Sequence, residues 1–334
     1  MLRFVVRRLL LLVPILIGVS LLFFAWVHAL PGSPVQSLLG ERATPKLVKE
    51  YDDKYGLNQP IPLQYWDYVK TTVHADFGTS IASHRQVSTE LRERFPATIE
   101  LAVAAMIFAI CLGIPLGVTA AKHYGRPLDH ASLVISLLGI STPIFFLALI
   151  LKYVFAVKLG WLPSVGRISV TLETEHPTNF YVLDAIITRD WAALWDVIRH
   201  LILPAIALGS VPLAIIARIT RAAVVDVQNE DYVRTAKAKG LPPRIVDSRH
   251  ILRNAMLPIS TVIGLQTGLL LSGAILTETV FEFPGMGSWL RDAIFNRDYP
   301  VLQGGILFLA IVFVLVNLLV DISYAVFNPR IRYS

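Results

Sequence analysis

The sequence predicts an all-α integral membrane protein with six transmembrane helices and a helical external subdomain after the first of them. Three observations carry that reading. Of 334 residues, 54% are hydrophobic and only 16% charged, against roughly 25% charged in an ordinary soluble domain. The charges leave six uncharged runs, at 9–30, 101–121, 131–151, 201–217, 255–277 and 299–320, with lengths of 22, 21, 21, 17, 23 and 22 residues. A helix needs about 20 apolar residues to cross the hydrocarbon core, within a range of roughly 17–25. Finally, the segments between the runs alternate in charge. Residues 1–8, 122–130, 218–254 and 328–334 hold 15 Lys/Arg and 5 Asp/Glu, whereas 31–98, 158–199 and 278–298 hold 14 Lys/Arg and 17 Asp/Glu. Basic residues in short loops mark the cytoplasmic side, so both termini are expected in the cytoplasm. The net charge of +6 is therefore a topology signal, and no basic-aromatic nucleic-acid module accompanies it.

The elements follow in order. Arg3, Arg7 and Arg8 precede the first run, but that run exceeds the roughly 7–15 residues of a signal-peptide core and no small-x-small cleavage site follows. We read 1–30 as a cytoplasmic tip and a retained membrane helix. Pro31-Gly32-Ser33-Pro34 stops it. Residues 31–98 read as an ordered external subdomain, because aromatic and apolar residues recur through "YGLNQPIPLQYWDYV" and "ADFGTS" too often for a disordered linker. Pro96 suits a first helical turn, where its missing N–H costs nothing. Residues 99–327 form a five-helix core, and 328–334 a cytoplasmic tail.

Within the core, Trp161, Tyr181, Trp191 and Trp195 suggest that 158–199 rests at the membrane interface. The last external loop, "TETVFEFPGMGSWLRDAIFNRDYP", is expected to dip toward the bilayer. Small residues at Gly113/Gly117, Gly264/Gly268 and Gly304/Gly305 permit close helix approach, and Pro14, Pro115, Pro143, Pro204 and Pro212 predict kinks. Cys111 stands alone, which excludes an intramolecular disulfide, and reads as a small buried residue.

Catalytic signatures are missing. There is no phosphate-cradling Gly-x-x-x-x-Gly-Lys-Ser/Thr, no His-Glu-x-x-His and no Gly-x-Ser-x-Gly. Gly285-Met-Gly287 lacks the third glycine of a dinucleotide loop. The histidines, at 28, 74, 84, 123, 130, 176, 200 and 250, show no ligand spacing. Glu100, Lys152, Glu278 and Asp321 lie at span ends and read as solvated or capping charges. Ser136, Ser141, Thr142, Gln266, Thr267 and Ser272 are polar positions within apolar spans. Each reads equally as lining a translocation path or as a helix-packing hydrogen bond.

The most polar run of the second half is "NEDYVRTAKAKGLPPRIVDSRHILRNAMLPI". Good helix formers extend to Lys239, Gly240 with Pro242-Pro243 is a strong stop, and a second helix begins near Pro243 or Arg244. Helix, glycine turn, helix makes a basic cytoplasmic knob, with Tyr232 and Val233 as an apolar bump. On the residues alone it is open whether the knob docks into a partner's groove or only enforces orientation.

The run resembles the coupling loop of membrane subunits of bacterial ABC importers. Arg234-Thr235-Ala236 occupies the usual Glu-Ala-Ala and Gly240 the glycine, in the form seen in the peptide-importer branch. "RFPATIELAVAAMIFAICLGIPLGV", "ILPAIALG", "VIGLQTGLLLSGAILTETVFEFPGMG" and "DYPVLQGG…NLLVDISYAVFNPRIR" extend the resemblance end to end, to the first of the two permease subunits of dipeptide and oligopeptide importers. Ser33 stands where that family has Asp.

The resemblance implies a type I ABC importer (MetI-like) permease fold in a bacterial inner membrane. The implied partners are a paralogous second permease, two cytoplasmic ATPases and an extracytoplasmic peptide-binding protein. It also implies that this chain binds no cofactor, with ATP and Mg held by the ATPases. Glu230, Asp231, Tyr232, Val233, Arg234, Thr235, Ala236, Lys237, Lys239 and Gly240 are the implied coupling residues. Longer oligopeptides, nickel, glutathione and cationic peptides are alternative cargoes within the class. An ion-coupled secondary transporter is the alternative outside it, and would need matched broken helices or a midplane ion site.

Overall fold

A computed structural model describes residues 2–29, 44–54, 56–172 and 174–327; the side chains of 2–9, 51, 54, 135, 138, 271–273 and 321–327 fall outside that description. The expected stop at 31–34, with Ser33, and the expected tail at 328–334 also lie outside the described residues, as does the side chain of Asp321. Among the described residues the regular structure is helical, with one isolated bridge between Thr79 and Gln86. The chain divides into two units, residues 1–98 with 284–315 and residues 99–283 with 316–334.

The first unit holds α1 (Leu2–Ala29), α2 (Pro45–Lys54), α3 (Ile61–Val73), the start of α4 (Val87–Lys122), α12 (Met286–Asn296) and most of α13 (Tyr299–Phe327). Helix α4 begins at Val87, well before Pro96, so that proline lies inside the helix and not in its first turn. The reason is packing: Val87 and Leu91 are buried with Val27, Met286, Trp289, Leu290 and Leu302 in one apolar cluster, which rewards extending the helix backwards. Polar contacts fix the cluster's rim. Trp289 Nε1 donates to Glu90 at 3.1 Å, and the Met286 N–H donates to Thr98 Oγ1 at 2.8 Å. Asp298 accepts from Ser80 Oγ at 2.5 Å and the Ala82 N–H at 3.0 Å. The loop expected to dip toward the bilayer contains the short helix α12, whose first five residues are buried.

The second unit is organised around α8 (Trp191–Gln228), 38 residues long and hence about 57 Å at 1.5 Å per residue. Helices α5 (Pro127–Ser141), α6 (Ile144–Leu151), α7 (Tyr181–Ile187) and α10 (Arg253–Gly273) each pack on it. The shortest uncharged run, 201–217, therefore marks the most enclosed span. Lipid offers helices no hydrophobic reason to associate, so close packing must hold them. Here α4 meets α8 through glycine. A Cβ on Gly117 would lie 2.5 Å from the Ala217 carbonyl oxygen and 2.6 Å from Thr220 Cβ, and one on Gly209 would lie 2.6 Å from the Ala105 carbonyl oxygen. Backbone cannot yield as a side-chain tip can. We predict that Gly117→Ala destabilises by about 1–3 kcal/mol, read as a lower detergent melting temperature, whereas Gly18→Ala, with nothing within 4 Å of the new methyl, has no such cost.

Among the described residues, four single helices are long and apolar enough to cross a bilayer, and the bent pair 127–141 with 144–158 makes a fifth if it counts as one span. The run 255–277 is housed in α10 and the short α11 (Ile275–Val280). The expected third span is not straight. It turns by 101° at Thr142-Pro143, where Pro143 has ψ of 133°. A proline pushes its predecessor out of the helical region and brings no N–H of its own. Beyond Leu151 the helix widens into a π-helical stretch, Lys152–Lys158. Cys111 is exposed, not buried as its residue type suggested.

Lys152, read as a solvated or capping charge, caps: its Nζ donates to the Val280 carbonyl, the last of α11, at 2.7 Å. Glu278, read the same way, is fully buried. Arg221 on α8 grips Asp129 at the start of α5 with two N–H donors, one at 2.7 Å, while the Gly125 N–H reaches the same carboxylate at 3.0 Å.

Candidate functional site

The polar run that follows α8 folds as a docked knob. Helix α8 ends at Gln228, and after a break at Asn229-Glu230 the short α9 (Asp231–Ala238) begins. Its hydrophobic positions fall three apart, so they share a face: Val233 and Ala236 are buried against Ala121, Val224, Val246, Ile251, Ala255 and Ile259. Val233, expected in an exposed bump, is at 0% exposure and serves as the anchor. Tyr232 alone remains outside, 42% exposed, its hydroxyl accepting from Asn254 Nδ2 at 3.0 Å.

The glycine turn closes α9 as its chemistry requires. Gly240 sits at φ +72°, its N–H donating to the Lys237 carbonyl at 3.0 Å and the Leu241 N–H to Ala236 at 3.4 Å. That pair of bonds is a Schellman cap, in which the residue after glycine packs back on the helix; Leu241 indeed joins the Val233 cluster. Pro243 then opens a single turn, Pro243–Ile245, followed by a π-helical stretch, Val246–Leu252, that runs into α10.

Glu230 stands at the N-cap of α9, where its side chain makes no cap hydrogen bond. Asp231 lies in the first turn, where a negative charge suits the helix dipole, 3.6 Å from Arg234. Thr235 Oγ1 donates back to the Asp231 carbonyl at 2.9 Å. Arg234, Lys237 and Lys239 are exposed, as are Arg244, Arg249 and Arg253. A buttress that sequence reasoning missed, Lys122 at the end of α4, reaches Asp247 at 2.6 Å. The site is a basic surface with a tyrosine at its centre, held by an apolar root, and it carries no acid–base or nucleophilic constellation.

The candidate path residues differ in exposure. Ser136 is buried and Ser141 is exposed at the α5 bend. Thr142 and Gln266 are half-buried. Thr267 donates its hydroxyl to the Ile263 carbonyl one turn back in the same helix, at 2.8 Å. The side chain of Ser272 lies outside the described residues.

A second polar centre was not anticipated. Glu100, read from sequence as a solvated or capping charge, is buried on Arg167, whose Nη2 donates to it at 2.6 Å and to the Asn179 carbonyl at 2.7 Å. The Val182 N–H takes the other carboxylate oxygen at 2.8 Å. The Arg167 guanidinium carbon lies 3.7 Å from the centroid of Tyr181, and the His176 ring stacks on the same tyrosine at 3.6 Å. Two groups so close to one centroid must occupy opposite faces.

Burial lowers the His176 pKa below its ordinary 6.5; Asp184 opposes the shift and Arg167 adds to it. The unfolded chain therefore takes up this proton first. The stability that the neutral ring confers is whole above about pH 6.5 and is lost below it, down to the folded value. We predict that protease resistance of the 160–184 loop falls on acidification through that window, and falls less in His176→Phe.

Residues 113–333 match the family model "Binding-protein-dependent transport system inner membrane component", and residues 1–102 match its N-terminal companion. The chain belongs to this family of importer membrane components. It is 46% identical over 333 residues to the "Dipeptide transport system permease protein DppB" of Alkalihalophilus pseudofirmus, and 48% over 335 to the "Di/tripeptide transport system permease protein DppB" of Pseudomonas aeruginosa. It is 42% identical over 334 residues to the "Glutathione transport system permease protein GsiC" of Escherichia coli. Each match covers the whole of both chains. Among solved structures, a chain of the inward-facing MetNI methionine ABC transporter superposes with a TM-score of 0.51 at 16% identity, covering 70% of this chain and 93% of that one. That likeness places the fold among ABC importer permeases.

Proposed function

We propose that the chain forms half of the path of an ATP-driven importer for dipeptides and short peptides. Residues 218–254 couple it to separate cytoplasmic ATPase subunits. The other half is a paralogous permease, and an extracytoplasmic binding protein delivers the peptide. ATP and Mg reside in the ATPases, and this chain binds no cofactor. Both termini face the cytoplasm, and 31–98 is external. The observation that carries the coupling role is the rooting of α9: Val233 is wholly buried while Tyr232 and the surrounding basic residues face outward. A rooted knob transmits movement of a partner to α8 and α10, which a solvated loop cannot.

Closure of the ATPases around ATP would then rotate those helices and shift the population between inward- and outward-open states. The three relatives named above support peptides as the cargo class, and the glutathione permease marks the second reading. Gly240→Val puts a β-branched residue at positive φ, which strains the turn by about 1–2 kcal/mol, and Tyr232→Asp removes the exposed ring. In proteoliposomes with the cognate ATPases and binding protein, the double variant is expected to lose ATPase co-purification and dialanine uptake. Wild-type uptake should be competed by dipeptides and not by glutathione. Undiminished ATPase binding and uptake in the variant would refute the coupling role; competition by glutathione alone would reassign the cargo.

A further inference from the structure

Three stretches that coupling leaves unused, "YGLNQPIPLQYWDYV", "ADFGTS" and "DYPVLQGG", converge on one pocket of about 320 Å³ in the first unit. That is the lower end of the volumes that hold small ligands, roughly 300–1,000 Å³. Five aromatic rings line it, from Phe24, His28, Tyr68, Phe77 and Tyr299. They are partly stacked on one another, with Phe24 4.1 Å from His28 and 6.0 Å from Tyr68, and His28 5.4 Å from Tyr299. Helix α3 presents Gln64, Asp67, Tyr68 and Thr71 to the pocket, the i, i+3, i+4, i+7 face of the helix.

The hydrogen-bond donors of this wall are already spent. Gln64 Nε2 donates to the Leu57 and Gln59 carbonyls at 3.1 and 2.7 Å. Tyr68 Oη donates to Gln303 at 3.4 Å, and Thr71 Oγ1 to the Asp67 carbonyl at 3.0 Å. The lining contains no Lys or Arg, and its one carboxylate, Asp67, is exposed to the opening. Among the described residues no ion pair engages that carboxylate. Gln64 Oε1 is already taken by His28 Nε2 at 3.0 Å, so the open groups are the aromatic faces and the Asp67 carboxylate, which together suit a compact cation that donates hydrogen bonds.

We propose that this pocket binds a primary ammonium group. Two sources present that chemistry at the outer surface of a membrane: the ethanolamine headgroup of a lipid, and the free amino terminus of a short peptide. Only the second rests on the function proposed above.

The test uses the full chain assembled with its partners in nanodiscs made solely of phosphatidylglycerol, and reads binding by saturation-transfer NMR without ATP. Ethanolamine is expected to bind, and its neutral isostere N-acetylethanolamine to bind about tenfold more weakly or not at all. Asp67→Asn should weaken ethanolamine about tenfold, and Asp67→Lys, which tethers a competing ammonium, should abolish it. Asp67 is exposed, so neither substitution endangers the fold. Dialanine binding that is lost in N-acetyl-dialanine assigns the peptide source. Phosphatidylethanolamine retained through purification by the wild type and not by Asp67→Lys, counted by native mass spectrometry, assigns the lipid source. Equal binding of ethanolamine and its acetylated form, or undiminished ethanolamine binding in Asp67→Lys, overturns the proposal. Because no transport is measured, neither result depends on the coupling reading.

Discussion

Arg167→Met is expected to destabilise the protein by about 3–5 kcal/mol, the cost of leaving a buried charge without its partner. Arg167 is 4% exposed and Glu100 9%, and the two side chains meet at 2.6 Å. The arginine also holds the Asn179 carbonyl and covers one face of Tyr181. Methionine fills much of the volume but answers none of these groups. Glu100 would keep only the Val182 N–H, too little for an ionised carboxylate away from water. The loop running from Arg167 to α7 should then detach from α4 at Glu100. Adding Glu100→Gln removes the stranded charge, so the double variant should recover most of the loss; buried pairs replaced at both ends are often near neutral. Unfolding by denaturing detergent, followed by circular dichroism and by cleavage within 160–184, measures both changes. A single variant as stable as wild type, or a double variant as weak as the single, would show that the pair carries no such weight.

That pair also marks where reading the sequence stops. The spans were legible because lipid imposes a length and a polarity on any helix that crosses it: residues 9–29 of the first run lie in α1, and the 299–320 run lies in α13. The cap at Gly240 was legible because glycine followed by Pro242-Pro243 leaves the chain little else to do. Partner choice was not. Glu100 and Arg167 stand far apart in sequence, and nothing local in either distinguishes a solvated charge from a buried one. The start of α4 at Val87 escaped for the same reason: a distant cluster around Trp289 rewards the extra turns, and that reward outweighs the local hint of Pro96. Val233 is the instructive case, because two residues adjacent on a helix face different ways. An apolar pair in a polar loop says that something is covered, and only the packing says which.

The face taken by Val233 leads to the second large effect. Val233→Asp should abolish coupled transport while leaving the chain in the membrane. The valine is enclosed by Ala121, Val224, Val246, Ile251 and Ile259, so an aspartate there must either be buried without a partner, at a cost of several kcal/mol, or turn the short helix over to reach water. With only eight residues, α9 has little stability of its own to resist, since isolated helices below about 12–15 residues are marginal. The second route is therefore taken: α9 undocks, the basic face loses its fixed orientation, and α8 and α10 no longer feel a partner that moves it. The neighbouring Tyr232→Phe gives the contrast, since it loses one exposed hydrogen bond to Asn254 and keeps the root intact. In reconstituted complexes, Val233→Asp should reduce dialanine uptake and ATPase retention by at least about a hundredfold, the ratio that a loss near 2.7 kcal/mol implies. Tyr232→Phe should change both by less than about fivefold. If Val233→Asp transported normally, α9 would have to act without its root, and a rigid knob could not be what links nucleotide hydrolysis to the spans.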